Sequence, residues 1–257
     1  MLNSKVMSLL GAGLLSLPLV AAAAWTGKGE LGAALSNAST GASSTTFAAK
    51  FDVASEVDRW KHAFGGSYVY AKAQAEASAA TPDPTDEATA NRWELHEQSD
   101  YKLSERSFLF GGVRHENDEI GSYEYQSVLA TGYGYKFMDT EATKLAGQLG
   151  AGYKRFKSRT PANSDAEGEA VLTGALELKQ VLTATTTLVD KLTVEYGSSN
   201  TLLQNDLAVQ VKMSEVLSLA AGHQIRYNTK PGARAFGAGD YAHSDRLLTL
   251  NLVYDFK

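Results

Sequence analysis

The feature that most constrains this chain is a two-residue alternation that recurs from Trp25 to the end. In 25–36 the odd positions are Trp25, Gly27, Gly29, Leu31, Ala33 and Leu35. The even ones are Thr26, Lys28, Glu30, Gly32, Ala34 and Ser36. Apolar or small groups share one face and polar groups the other, which is the geometry of a strand. Phe47, Phe51 and Val53 oppose Lys50 and Asp52 in the same way, and Leu248, Leu250 and Leu252 oppose Thr249 and Asn251. About twelve such segments can be delimited: 25–36, 45–57, 60–73, 92–103, 107–118, 123–137, 144–156, 169–182, 186–197, 201–213, 216–227 and 243–256. They exceed the ~5–6 residues usual for soluble strands. Each reaches the ~9–11 residues that a tilted strand needs to cross a bilayer.

Composition narrows what such strands can build. The chain has no Cys, which removes disulfides, zinc–thiolate sites and thiol catalysis. Its net charge of −5 argues against a nucleic-acid binder that neutralises phosphates. A mean hydropathy of −0.22 argues against a bundle of membrane helices. It leaves open a membrane barrel, in which only alternate residues meet lipid.

Residues 1–24 read as a secretory signal peptide. Lys5 gives a positive start, a 15-residue apolar stretch spans 6–20, and Ala21 to Ala24 offer a small-residue cleavage site. The apolar stretch is shorter than the ~20 residues of a spanning helix and carries Pro18. The domain division expected is therefore a signal peptide at 1–24 and one barrel domain at 25–257.

The connections between segments alternate in length. Those around 37–44, 74–91, 119–122, 157–168 and 228–242 are longer, and those around 58–59, 104–106, 183–185 and 214–215 are short. Long loops at one end and short turns at the other mark outer-membrane barrels. The connection at 198–200 breaks the pattern by being short where a long one is expected. Aromatic residues gather near strand ends, as in Trp60, Tyr68, Tyr133, Tyr135, Tyr254 and Phe256, which fits interfacial girdles. A soluble sandwich would leave the whole charged face of twelve long strands in water, whereas closure places it inside and removes every edge. The expected fold is all-β: a transmembrane antiparallel up-and-down barrel of about twelve strands.

Parity assigns an inner face. It carries Lys28, Glu30, Lys50, Asp52, Arg92, Glu94, His96, Gln98, Glu124, Gln126, Lys154, Glu177, Lys179 and Arg226. Both signs are mixed, so strong selectivity for one sign of ion is not predicted from the sequence. In 107–118, Phe108 and Phe110 share a face with Arg114 and Glu116, which calls for a bulge or an exit from the membrane.

Tyr101-Lys102-Leu103, the run from Ser107 to Arg114, Tyr123-Glu124-Tyr125, Gly132-Tyr133-Gly134-Tyr135, Gly150-Ala151-Gly152-Tyr153, Ile225-Arg226-Tyr227-Asn228 and Leu252-Val253-Tyr254-Asp255-Phe256 carry a resemblance. Together they resemble the family of salt-induced outer-membrane proteins of unknown function found in Gram-negative bacteria, over essentially the whole chain after residue 24. The resemblance implies an outer-membrane location and supplies no catalytic residue. Many outer-membrane barrels end in an aromatic residue that is read during assembly. Here Phe256 is penultimate and Lys257 follows.

Chemistry on the inner face is sparse. The five His are His62, His96, His115, His223 and His243, and none has Ser two residues away on its own strand face. Glu94-x-His96 is the nearest approach to a protease-like acid–His pair and reads as lumen polarity. The oxygen-rich run from His115 to Glu119 could meet a hard cation at a loop mouth, but reads better as a solvated strand end. No metal, cofactor or catalytic residue is assigned.

The expected function is a narrow passive channel for small polar solutes or ions in a Gram-negative outer membrane, and not an enzyme. The alternative is a non-conducting structural or salt- and acid-stress-response barrel acting through its extracellular loops. Its expected partners are outer-membrane lipid and the barrel-assembly machinery during biogenesis; no nucleic acid is expected, and the barrel is read as a monomer.

Overall fold

The computed structural model describes residues 24–37, 43–74, 86–159, 164–232 and 242–256. The expected signal peptide lies outside them apart from Ala24. Twelve strands follow in chain order: β1 Trp25–Asn37, β2 Ser43–Val57, β3 Trp60–Gln74, β4 Asp86–Lys102, β5 Ser107–Asp118, β6 Tyr123–Asp139, β7 Thr143–Ser158, β8 Ala166–Val181, β9 Thr186–Gly197, β10 Thr201–Lys212, β11 Leu217–Asn228 and β12 Ser244–Phe256. Each pairs antiparallel with its neighbours in sequence, and β1 pairs with β12 to close the barrel. The architecture is the transmembrane up-and-down barrel that the alternation predicts. Alternation fixes register so tightly because a one-residue slip would turn every apolar side chain inward.

β4 begins at Asp86, six residues before the expected start, so the 74–91 connection is shorter than the sequence suggests. Ala88 and Glu87 still pair with Lys72 and Ala73 of β3, across a register shift between Ala71 and Lys72. Both ends of the chain of strands lie at the short-turn end. The tightest connection there is Asp58-Arg59, where Asp58 has φ 54°, a left-handed conformation that Asp tolerates in a two-residue hairpin.

The outward wall is apolar. Leu149, Leu248 and Leu129 are 76%, 69% and 65% exposed, a state that lipid, not water, accommodates. Ring contacts band both ends of this wall. Trp60 meets Tyr101 and Tyr135 meets Phe137 near the short turns, while Trp93 meets His115 and His115 meets Tyr125 near the loops.

The pairing of β5 with β4 and β6 runs without a register shift. This corrects the expected bulge or exit in 107–118. Phe108 and Phe110 point inward with Arg114 and Glu116, because the facing wall is glycine. A Cβ on Gly134 would fall 2.1 Å from the Phe108 ring, and one on Gly132 would lie 2.8 Å from the Phe110 ring. The missing side chains let both rings lie flat on the wall, so apolar groups are held inside without a break in the sheet.

Candidate functional site

The candidate site is the barrel interior, which divides into two levels. Near the long-loop end a belt of ion pairs crosses it. Arg114 of β5 donates from Nε (2.8 Å) and Nη2 (2.7 Å) to the two carboxylate oxygens of Glu195 on β9. Its Nη1 also donates to Glu94 at 3.2 Å and to Glu116 at 3.4 Å. Arg226 of β11 donates to both oxygens of Glu116, at 3.0 and 2.8 Å. β11 stands six strands from β5 in a ring of twelve, so this pair joins opposite walls. Arg92 of β4 adds a bond to Gln224 of β11 at 3.3 Å, and Gln224 donates to Asp206 of β10 at 2.5 Å. Glu116 and Arg226 have only 4% and 7% of their side-chain surface exposed. Arg114 meets Glu195 as a planar fork, two nitrogens on two oxygens, while Arg226 reaches both oxygens of Glu116 from Nη2 alone.

The second level lies toward the short turns and is wet. Lys191 of β9 and Glu177 of β8 pair at 2.8 Å, yet remain 42% and 50% exposed. Lys50 and Asp52 of β2 lie 3.5 Å apart. His96 of β4 sits 3.6 Å from both Asp52 and Glu94, linking the two levels.

The residues predicted to face inward distribute as follows. Lys28 pairs with Glu30 at 2.9 Å, and Asn251 donates to Glu30 at 3.3 Å. Gln98 donates to Asp100 at 2.7 Å, and Gln126 to Glu116 at 3.3 Å. Lys154 is buried on the inner side, and Lys179 is exposed in register with Lys144 near the short turns. Glu124 is a correction. It is the extra residue of a register shift between Tyr123 and Tyr125, and its carboxylate meets Lys157 at 2.7 Å. Lys157 pairs in register with Tyr125, which lies one residue out of phase with the inner Gln126. One inserted residue breaks the parity count, and Tyr123 takes the inner side, its ring 5.3 Å from that of Phe156.

The sequence reading missed Glu195 and Lys191, although the alternation of β9 puts both on one face. It left Arg114 and Glu116 unassigned because of the two Phe beside them. The run from His115 to Glu119 is split between faces. Glu116 joins the belt, Asp118 accepts from the backbone N–H of Ile120 and Gly121, and Glu119 accepts from Asn91.

Two Ser–His contacts also escape a search along single strands, because they form across strands. His62 Nδ1 lies 2.7 Å from Ser99 Oγ, and His115 Nδ1 lies 2.7 Å from Ser127 Oγ; both pairs are directly opposite in register. Ser99 donates to Glu97 at 2.6 Å, so its proton points away from the histidine. His62 therefore acts as a donor there and is not placed as a base for Ser99.

This geometry can be set beside known proteins. The model of the family described as "Protein of unknown function, DUF481" matches residues 29–256. The chain belongs to this family. The DUF481 chain is 24% identical over 177 residues to the uncharacterized protein YdiY of Escherichia coli strain K12, covering 69% of its own length and 67% of that relative. Among solved structures it resembles the NanC porin, with a TM-score of 0.51 and 11% identity over 91% of this chain and 100% of that one. It also resembles an outer membrane channel of Pseudomonas putida F1, with a TM-score of 0.51 and 13% identity over 94% and 97% of the two chains. At such identities the likeness is one of fold: this DUF481 protein has the barrel of outer-membrane channels.

Proposed function

We propose that this protein is a passive channel of a Gram-negative outer membrane for small polar solutes or ions, narrowed by side chains of the barrel wall. The observation that carries the reading is the two-level interior. Exposed Lys50, Lys191 and Glu177 mark a lumen that water enters from the short-turn end. Among the described residues, a belt of side chains led by Arg114–Glu195 and Arg226–Glu116 separates it from the other end. Twelve strands fall between the ~8 whose side chains fill their interior and the ~16 that leave a wide pore. Opposed charges across such a neck orient polar solutes and slow bulky ones. The family's fold supports the outer-membrane placement. The outward Ser–His contacts, with Ser99 already donating to Glu97, support a non-enzymatic reading.

The test is single-channel recording of the refolded 25–257 chain in a planar bilayer. Small, discrete steps that grow in Arg114→Ala are expected. Silence from protein verified as folded and inserted overturns the reading. One observation favours the second reading, a non-conducting barrel whose loops respond to salt or acid stress: the loop end is itself tied down. Arg159 donates to the carbonyls of Gly121 and Asp118, and Lys230 donates to that of Ser198 at 3.0 Å. Under that reading the belt is permanent, and the phenotype is lost on deleting 74–91 or 157–168.

A further inference from the structure

We propose that the neck of the lumen selects for cations, because carboxylates outnumber basic groups at its level and Asp206 has no ion pair there. The solutes favoured are small inorganic cations and small organic ammonium ions. This deepens the channel reading above and rests on it.

Parity alone mixes the two signs along the inner face, but sorted by level they separate. Toward the short turns Lys28 meets Glu30, Lys50 meets Asp52 and Lys191 meets Glu177, one base to one acid. At the belt the basic groups are Arg92, Arg114, Lys154 and Arg226. Arg92, Arg114 and Arg226 are shared among Asp118, Glu94, Glu195 and Glu116, so the arginines are already one charge short. Lys154 stands opposite Glu169 in register, and these two balance. Asp206 then adds a second negative charge to the excess. A charge on His96 would offset only one of the two. Exposed Glu167 and Asp245, opposite Phe156 and Arg226 in register, extend the excess to the mouth.

Neutral donors hold the surplus in place. Asp206 of β10 accepts from Gln204 Nε2 at 2.7 Å and from Gln224 Nε2 at 2.5 Å. Lys191, its register neighbour on β9, turns to Glu177 at 2.8 Å instead. Glu169 of β8 accepts from Ser198 Oγ at 2.7 Å and from the Ser199 backbone N–H at 2.8 Å, which ties it to the short 198–200 connection. Amide and hydroxyl donors orient a carboxylate without cancelling its charge. Buried Gln126 adds an acceptor to the same wall. Its Nε2 donates to Glu116 at 3.3 Å, and its Oε1 has no hydrogen-bond partner among the described residues. Where a passage is narrow enough for side chains to bridge it, low-dielectric walls focus the field of such a surplus on the solute. Acid-lined constrictions of this kind admit cations.

The test is the reversal potential of the full refolded barrel in a potassium chloride gradient. The natural protein should prefer potassium. Asp206→Asn, which keeps the shape and removes the charge, should lower the potassium-to-chloride permeability ratio on the order of 3-fold. Lys154→Gln removes a positive charge from the same level and should raise the ratio. A general loosening of the neck would move both variants the same way, so their opposite signs identify a charge effect. With methylammonium chloride in place of potassium chloride the cation should still be preferred, and a preference for chloride there overturns the extension to organic cations. A natural barrel that conducts but favours chloride, or neither ion, overturns the proposal and leaves the channel reading standing. An unchanged ratio in Asp206→Asn overturns the role of that residue. A folded and inserted barrel that carries no current overturns the channel reading and this proposal with it. Should Asp206→Asn fail to fold, the natural ratio and its direction of change in Lys154→Gln decide the matter.

Discussion

The two levels of the lumen put pairs of opposite charge to opposite ends. Near the loops, Arg226 and Glu116 are almost fully enclosed and joined through two hydrogen bonds. Near the short turns, Lys191 and Glu177 meet at the same 2.8 Å separation but remain 42% and 50% exposed. Distance therefore does not separate them; solvent does. In the wet level, water screens each charge and the pair adds little. In the belt, the charges have given up their hydration and depend on one another, so removing one strands the other. Mixed charge is thus a lining at one end and a structural crossbar at the other.

The largest expected effect breaks the crossbar. Arg226→Ala leaves Glu116 enclosed without its main partner and should destabilise the refolded barrel by about 3–5 kcal/mol. Lys191→Ala should cost no more than about 1 kcal/mol. Urea titration of both variants in lipid vesicles, followed by tryptophan fluorescence, makes the comparison. Equal losses would mean that the two levels do not differ as described. In the same variant the single-channel conductance should rise, because the side chain that bridges opposite walls is gone.

A second contrast runs along the wall itself. Gly132 sits where a Cβ would fall 2.2 Å from the Leu149 carbonyl oxygen and 2.8 Å from the Phe110 ring. Gly29 has nothing within 4 Å of the same position. Gly132→Ala should therefore cost about 1–3 kcal/mol through overpacking, while Gly29→Ala should leave the unfolding midpoint nearly unchanged. A tolerated alanine at 132 would mean that the Phe110 ring is free to leave the wall.

Most of the wall was legible in the sequence and most of the belt was not, for one physical reason. A strand's period is local, so Trp25 to Ser36 declares its faces without knowing the partner strand. The same holds for β12, whose leucines alternate with Thr249 and Asn251. Which inner residues meet across the lumen depends on strand tilt and closure, and no local pattern carries that. Arg226 was placed on the inner face, but nothing near it points to Glu116, 110 positions away. Parity also fails wherever the ladder gains a residue, as at Glu124, or wherever glycine makes an apolar side chain acceptable inside, as at Phe108 and Phe110. The cross-strand partners of His62 and His115 were hidden for the same reason as the belt.

The smallest expected effect gives the sharpest discrimination. A double-mutant cycle on Lys191 and Glu177, each changed to Gln, should return a coupling of about 0.2–1 kcal/mol at low salt. Raising the salt from 0.1 to 1 M shortens the screening length from ~10 Å to ~3 Å, and this coupling should fall toward zero. The same cycle on Arg226 and Glu116 should give a larger coupling that salt barely moves, because water and ions do not reach between those groups. The two pairs have the same contact distance, so a difference in salt response comes from their burial and from the belt's additional partners, not from separation. If the belt coupling were to fall with salt as the other does, ions would be reaching Arg226. The upper level would then be an open part of the passage rather than its neck.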